Sequence, residues 1–192
     1  MKVLYIKHNP DGSLNVEAGA DSSVLRPGEP VFVPDPVSGW RSAIAPAVRI
    51  SRLGTAIKAS RASAYYDALA PVHILTPASS ALCDGLPPYI LDRTLSPGIW
   101  QPLGEESGAR HTFAVEVRAL NAEAPFASVS VDFSIADAGV DTAMEVLSRH
   151  LTFRTGDILV FPDRGLSLGV AVLDTELRVT VDGAEALKIR MK

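Results

Sequence analysis

The sequence predicts a β-rich α+β fold, built from mixed sheets in more than one layer with two or three short helices. Several short runs alternate apolar and polar side chains with a period of two, as half-buried strands do. Fourteen Pro and fourteen Gly interrupt the 192 residues too often for a helical bundle. Helical spacing of apolar residues shows over 57–69 and 137–151.

Taken in order, Lys2–Lys7 sets Val3 and Tyr5 against Leu4 and Ile6 and reads as a strand. Asn9-Pro10-Asp11-Gly12 then turns the chain, and Leu14–Val16 returns as the partner of a terminal hairpin over 1–18. Ala43–Ser51 is a strand with two distinct faces. Ile44, Pro46, Val48 and Ile50 suit a core. Ala43, Ala45, Ala47 and Arg49 suit a face that lines a pocket or packs on another layer. Pro46 cannot donate to a ladder and predicts an edge or a bulge. Ile57–Leu69 is Ala-rich with a Tyr65–Tyr66–Leu69 stripe and predicts a helix. Pro71–Thr76 is a short apolar strand containing His73, which suits a core or interface. His111–Leu120 and Ser128–Phe133 alternate as strands. Asp137–Leu151 is an amphipathic helix whose Met144 and Leu147 belong to the core. Gly156-Asp157 turns into a buried strand at Ile158–Phe161, and the chain ends in three strands with a hairpin signal at Asp182-Gly183.

Composition narrows the function. A chain 47% hydrophobic and 21% charged buries a core, and 192 residues fit a single domain, 1–192. A net charge of −4 with scattered Lys and Arg argues against nucleic acid as a partner. The single cysteine, Cys83, excludes an internal disulfide and a thiolate zinc site, and suits a cytoplasmic protein. The apolar run in MKVLYIKHNP is too short for a signal peptide, and no segment has the length of a membrane span. No Ser-His-Asp set, P-loop or dinucleotide fingerprint is present.

VRISRLG followed by AYYDAL resembles the middle of the fumarylacetoacetate hydrolase family, where a strand E-x-E-L-x-V-x-I-x-R-x-G precedes a short helix. Further likenesses are Asp21, Ser22 and Leu25 within K-P-D-S-A-L-L, Gly85-Leu86-Pro87, the DRTLSPGIWQPLGE loop, and LTFRTGDILVF against L-x-x-G-D-x-I-x-T-G-T-P. Together they span about residues 20–100 and 145–192. The resemblance implies a multi-layer β-roll of that family's type and a homodimer.

In that family the two Glu bind a divalent cation such as Mg2+, Mn2+ or Ca2+. Counting back from Arg52-Leu53-Gly54 puts them at Ala43 and Ala45, with a third ligand, an Asp, at Leu75 or within a residue of it. No cofactor is therefore expected. The family's Lys falls near Asp92, which with Arg93 reads as a local ion pair. His8 lies at the wrong spacing for the family's catalytic His and reads as a strand-end residue. The Thr-Gly-Thr-Pro run is replaced by Phe161-Pro162-Asp163-Arg164-Gly165, which sets a carboxylate, partly offset by Arg164, where an anion would be received. Asp21 and Ser22 belong to a pocket wall or to a capping turn.

The leading reading is a non-catalytic protein on this fold with a binding or assembly role, pairing with itself or with an active relative. A second is a hydrolase or lyase of β-diketo or 2-oxo acids with rewired chemistry, in which Arg41 and Arg49 hold a small carboxylate ligand. A third is a small-molecule sensor using the space beside Ala43 and Ala45, with His73 at hand.

Overall fold

The computed structural model describes residues 1–34, 39–103 and 109–192. The end of the turn-rich run, Gly104 and Glu105, lies outside the described residues. Twelve strands are described: β1 Val3–His8, β2 Leu14–Gly19, β3 Trp40–Ile50, β4 Tyr66–Pro77, β5 Leu95–Pro97, β6 Gln101–Pro102, β7 Arg110–Ala119, β8 Ala127–Ser134, β9 Ile158–Val160, β10 Leu166–Val170, β11 Thr175–Val181 and β12 Ala184–Met191. One α-helix, α1 Val140–Ser148, lies between β8 and β9. A mixed eight-stranded sheet runs β2-β1-β9-β3-β4-β5, with β10 added beside β3 and β6 beside β4. Its β1–β9 pair is parallel. A four-stranded antiparallel sheet runs β12-β11-β7-β8.

The main core combines residues of both sheets and α1: Leu4, Ile6, Ile44, Val48, Leu75 and Phe161 from the large sheet, Phe113, Val115, Leu177 and Val179 from the small one, and Met144 and Leu147 from the helix. A second apolar cluster contains Val3, Tyr5, Ala45, Ala47, Val72, Ile74, Ile158 and Val160 with Tyr89 and Leu95. The large sheet is therefore buried on both faces around β3. This is why neither face of that strand reads as polar.

Two sequence expectations change. The helix over Ile57–Leu69 is a 3-10 helix limited to Ala59–Tyr65, and Tyr66 already starts β4. Ala-rich propensity is worth tenths of a kcal/mol per residue. It loses here to an antiparallel ladder that runs from Ile50↔Tyr66 to Trp40↔Pro77. Pro71 also biases the preceding residue toward extended backbone.

Pro46 is at neither an edge nor a bulge. It lies in the interior strand β3, opposite Pro71 of β4. The Pro46 carbonyl accepts from Phe161 N–H at 3.0 Å, and the Pro71 carbonyl accepts from Gly98 N–H at 2.8 Å. Both prolines thus turn their bonding edges away from one another, and the β3–β4 ladder loses nothing. The missing N–H of Pro46 falls at a seam, where pairing with β10 ends at Ile44 and pairing with β9 begins at Ala47.

Asp157 fixes the Gly156 turn. Its buried carboxylate accepts from the backbone N–H groups of Lys2 and Arg154, both at 2.8 Å, and pairs with Lys2 Nζ at 2.8 Å. Burial opposes the charge, but the bonds from Lys2 and Arg154 outweigh it and hold the carboxyl below its ordinary range.

Candidate functional site

Arg41, Ala43, Ala45, Ala47 and Arg49 alternate onto one face of β3. Register extends this face onto β4, because Ala43 pairs with Ile74 and Ala45 with Val72. Ala45 and Ala47 are fully buried, and Ala43 is half-buried. Leu75 pairs with Ser42 and belongs to the opposite face and the main core. Both neighbours of Leu75 share a face with Ala43: Ile74, which pairs with Ala43 itself, and Thr76, which pairs with Arg41 two residues away. A hard divalent cation takes oxygen ligands. Two methyl groups and a branched alkyl group supply none, so Ala43, Ala45 and Ile74 do not fit such an ion.

The arginines lie at the two ends of this face. Eight residues of strand set Arg41 and Arg49 roughly 26 Å apart, too far to grip one small carboxylate together. Arg49 is already held, donating from Nε and Nη2 to both Asp67 oxygens at 3.0 and 2.9 Å and lying over the Trp100 ring. Arg41 is exposed.

Asp21 and Ser22 form a 3-10 turn, Asp21–Ser23. The Ser22 hydroxyl donates to Asp92 at 2.5 Å, and Arg93 pairs with Glu29 at 3.0 Å. The expected local pair of Asp92 with Arg93 is therefore replaced by two longer-range bonds that tie this turn to the 88–93 loop. Asp163 and Arg164 lie in the turn Pro162–Arg164. Arg164 is 3.7 Å from Asp163, but the main partner of that carboxylate is His8, whose backbone N–H and Nδ1 lie at 3.0 and 2.9 Å. The strand-end histidine thus joins β1 to the turn Pro162–Arg164. The turn also packs on β3: Phe161 N–H donates to the Pro46 carbonyl at 3.0 Å, and Gly165 lies against Ile44 and Ala45.

The other face of β3 carries a polar pair that sequence reasoning missed. Ser42 Oγ lies 2.8 Å from His73 Nε2, and both residues are buried. His73 pairs in register with Ser96 of β5. Among the described residues His73 Nδ1 and Ser96 Oγ have no hydrogen-bond partner. Burial lowers the His73 pKa from 6.5 to about 4, so the ring is neutral near pH 7 and a weak base. With no carboxylate on Nδ1, the pair lacks the third group that orients a catalytic histidine. Ser42 and His73 are 31 residues apart, and only the β3–β4 register brings them together.

Cations gather elsewhere. Lys188, Arg190 and Lys192 line an open cleft of about 430 Å³ with Gly28, Glu29 and Pro30. Glu176 lies beneath, 3.3 Å from Lys188 and 2.7 Å from Arg178. No helix among the described residues is long and apolar enough to cross a membrane.

No protein-family model matches the sequence, and no curated protein is similar to it in sequence. Solved structures are similar in fold. The fumarylpyruvate hydrolase of Pseudomonas aeruginosa, in complex with Mn2+ and pyruvate, superposes with a TM-score of 0.76 at 16% identity, over 100% of this chain and 89% of that one. The 2-hydroxyhepta-2,4-diene-1,7-dioate isomerase of Mycobacterium marinum gives 0.76 at 16%, over 99% and 73%. A fumarylacetoacetate hydrolase family protein of Yersinia pestis gives 0.76 at 15%, over 100% and 92%. At such identities the likeness is one of architecture, and it extends over the whole chain: this protein has the fumarylacetoacetate hydrolase fold.

Proposed function

We propose that this chain uses the fumarylacetoacetate hydrolase fold for binding or assembly rather than for catalysis. The observation that carries the reading is the side-chain chemistry of one strand face. Ala43, Ala45 and Ile74 share it by register, and Ala45 and Ile74 are buried in an apolar cluster with Val72 and Val160. Placing a divalent cation there would mean stripping its water without giving it oxygen ligands in return. A similar structure holds Mn2+ and pyruvate, and Ala43, Ala45 and Ile74 offer such a cation no oxygen.

Assembly with a second copy or with an active relative is the partner class this reading favours. If a small carboxylate is the ligand instead, Lys188, Arg190 and Lys192 are better matched to it than Arg41 and Arg49. They line one cleft, where Glu176 lies 3.3 and 3.6 Å from Lys188 and Arg190, whereas Arg41 and Arg49 stand at opposite ends of β3. The test is turnover. Purified protein supplied with an acylpyruvate and magnesium or manganese is expected to leave the substrate unchanged. Hydrolysis that is saturable and stops on adding a chelator would overturn the reading.

A further inference from the structure

A crevice of about 190 Å³ opens between the two sheets where β10 leaves β3. Ser42 and Ser167 line it from the large sheet, and Phe126 and Val129 from β8 and the residue before it. Val170 and Val172 complete the rim. Phe126, Val129, Val170 and Val172 are 64, 46, 62 and 51% exposed, an unusual density of apolar side chains in water. No charged side chain is among the described residues that line it. Beside Ser42 the β10 strand has a bulge between Ser167 and Gly169.

One hydroxyl of this crevice, that of Ser42, contacts the buried histidine. Neutral His73 has one N–H and one bare nitrogen. If Nδ1 carried the proton, an N–H donor would be buried without an acceptor. That is rarer in folded proteins than an under-satisfied acceptor. The economical arrangement puts the proton on Nε2, which donates to Ser42 Oγ at 2.8 Å. The Ser42 hydroxyl hydrogen is then uncommitted. Thr175, the other hydroxyl on the small-sheet side, already donates to the Val172 carbonyl at 2.7 Å.

We infer that this crevice binds a small neutral molecule, an apolar body about the size of benzene or slightly larger with one acceptor oxygen, such as a ketone, that takes the hydrogen bond of Ser42. Volume sets the size and the valine and phenylalanine walls set the apolar body. No cation is among the described lining residues, so a carboxylate would lose its hydration there without a partner. The site lies on the opposite face of β3 from Ala43 and Ala45. It stands whether or not the protein turns over an acylpyruvate.

An amide-resolved NMR titration with cyclohexanone, with cyclohexanecarboxylate as the charged control, tests this. Saturable shifts at Ser42, Ser167 and Val129 are expected with the ketone and not with the carboxylate. Ser42→Ala should weaken ketone binding roughly three- to tenfold, the value of one net hydrogen bond. Because that variant also strips His73 of its partner, Val129→Trp provides a second arm. On an exposed edge strand it should fill the crevice and abolish binding while leaving the melting curve in place. No saturable response to the ketone, an equal response to the carboxylate, or undiminished binding by Val129→Trp would each overturn the site. So would shifts at these residues that follow protein concentration instead of ketone, because they would mean that a second copy covers the crevice.

Discussion

At pH 7 His73 is neutral in the folded chain, because burial lowers its pKa from 6.5 to about 4. In the unfolded chain the same ring titrates near its ordinary value. Between those two values the unfolded state binds more protons, so stability falls as pH drops through this window and levels off below it. The window is worth roughly 3 kcal/mol, at about 1.4 kcal/mol per pKa unit. Urea midpoints measured across it should decline more steeply in the native protein than in His73→Gln, which can still bond Ser42. Equal slopes would remove His73 as the cause. Asp157, Glu145 and Glu176 also have lowered pKa values, and their losses come at lower pH, as each carboxyl protonates. Gly165 is a second residue with a sharp expectation. A Cβ there would run into the Ile44 carbonyl and come within 2.8 Å of Ala45 Cα. Backbone cannot swing aside as a side chain can, so Gly165→Ala should lower stability by about 1–3 kcal/mol, read as a lower denaturant midpoint.

At the scale of elements, β3 shows what local sequence does and does not reveal. Its two faces are legible from alternation alone, because a strand has period two and all of 43–50 obeys it. The start of β4 is not legible, because its strand state depends on a ladder with β3 that no local window contains. The same holds for Ser42 and His73: each sits in an apolar run, and their contact exists only through register. That Ile74 and Thr76, and not Leu75, share the face of Ala43 also emerges only from the pairing of β3 with β4. Arg49 and Asp67 are both more than a third exposed, so their bidentate pair is screened by water. Arg49→Ala should cost no more than about 1 kcal/mol in a thermal melt. A larger loss would point to a role for this arginine beyond its ion pair.

For the whole molecule, the motifs that carried the family resemblance prove to be structural positions. Gly54 of the Arg-Leu-Gly motif exchanges two backbone bonds with Phe153, at 3.1 and 2.8 Å. A Cβ on it would press into the Tyr65 ring at 2.5 Å. Gly85 and Gly156 have φ of 78° and 87°, which side-chain-bearing residues rarely adopt. Asp157 ties the turn to the chain start. Such residues are demanded by the path of the backbone, so they report the fold and say nothing of chemistry. This is why the fold class was legible in these motifs, whereas contacts made only through strand register, such as Ser42 with His73, were not. The central claim is that this scaffold supports binding or assembly without a hard-cation centre. Its most direct test is calorimetric titration of magnesium and manganese into chelator-treated protein. The account predicts no saturable heat at a single site. One stoichiometric site of micromolar affinity, lost when carboxylates near β3 are neutralised, would contradict it and restore the enzyme reading.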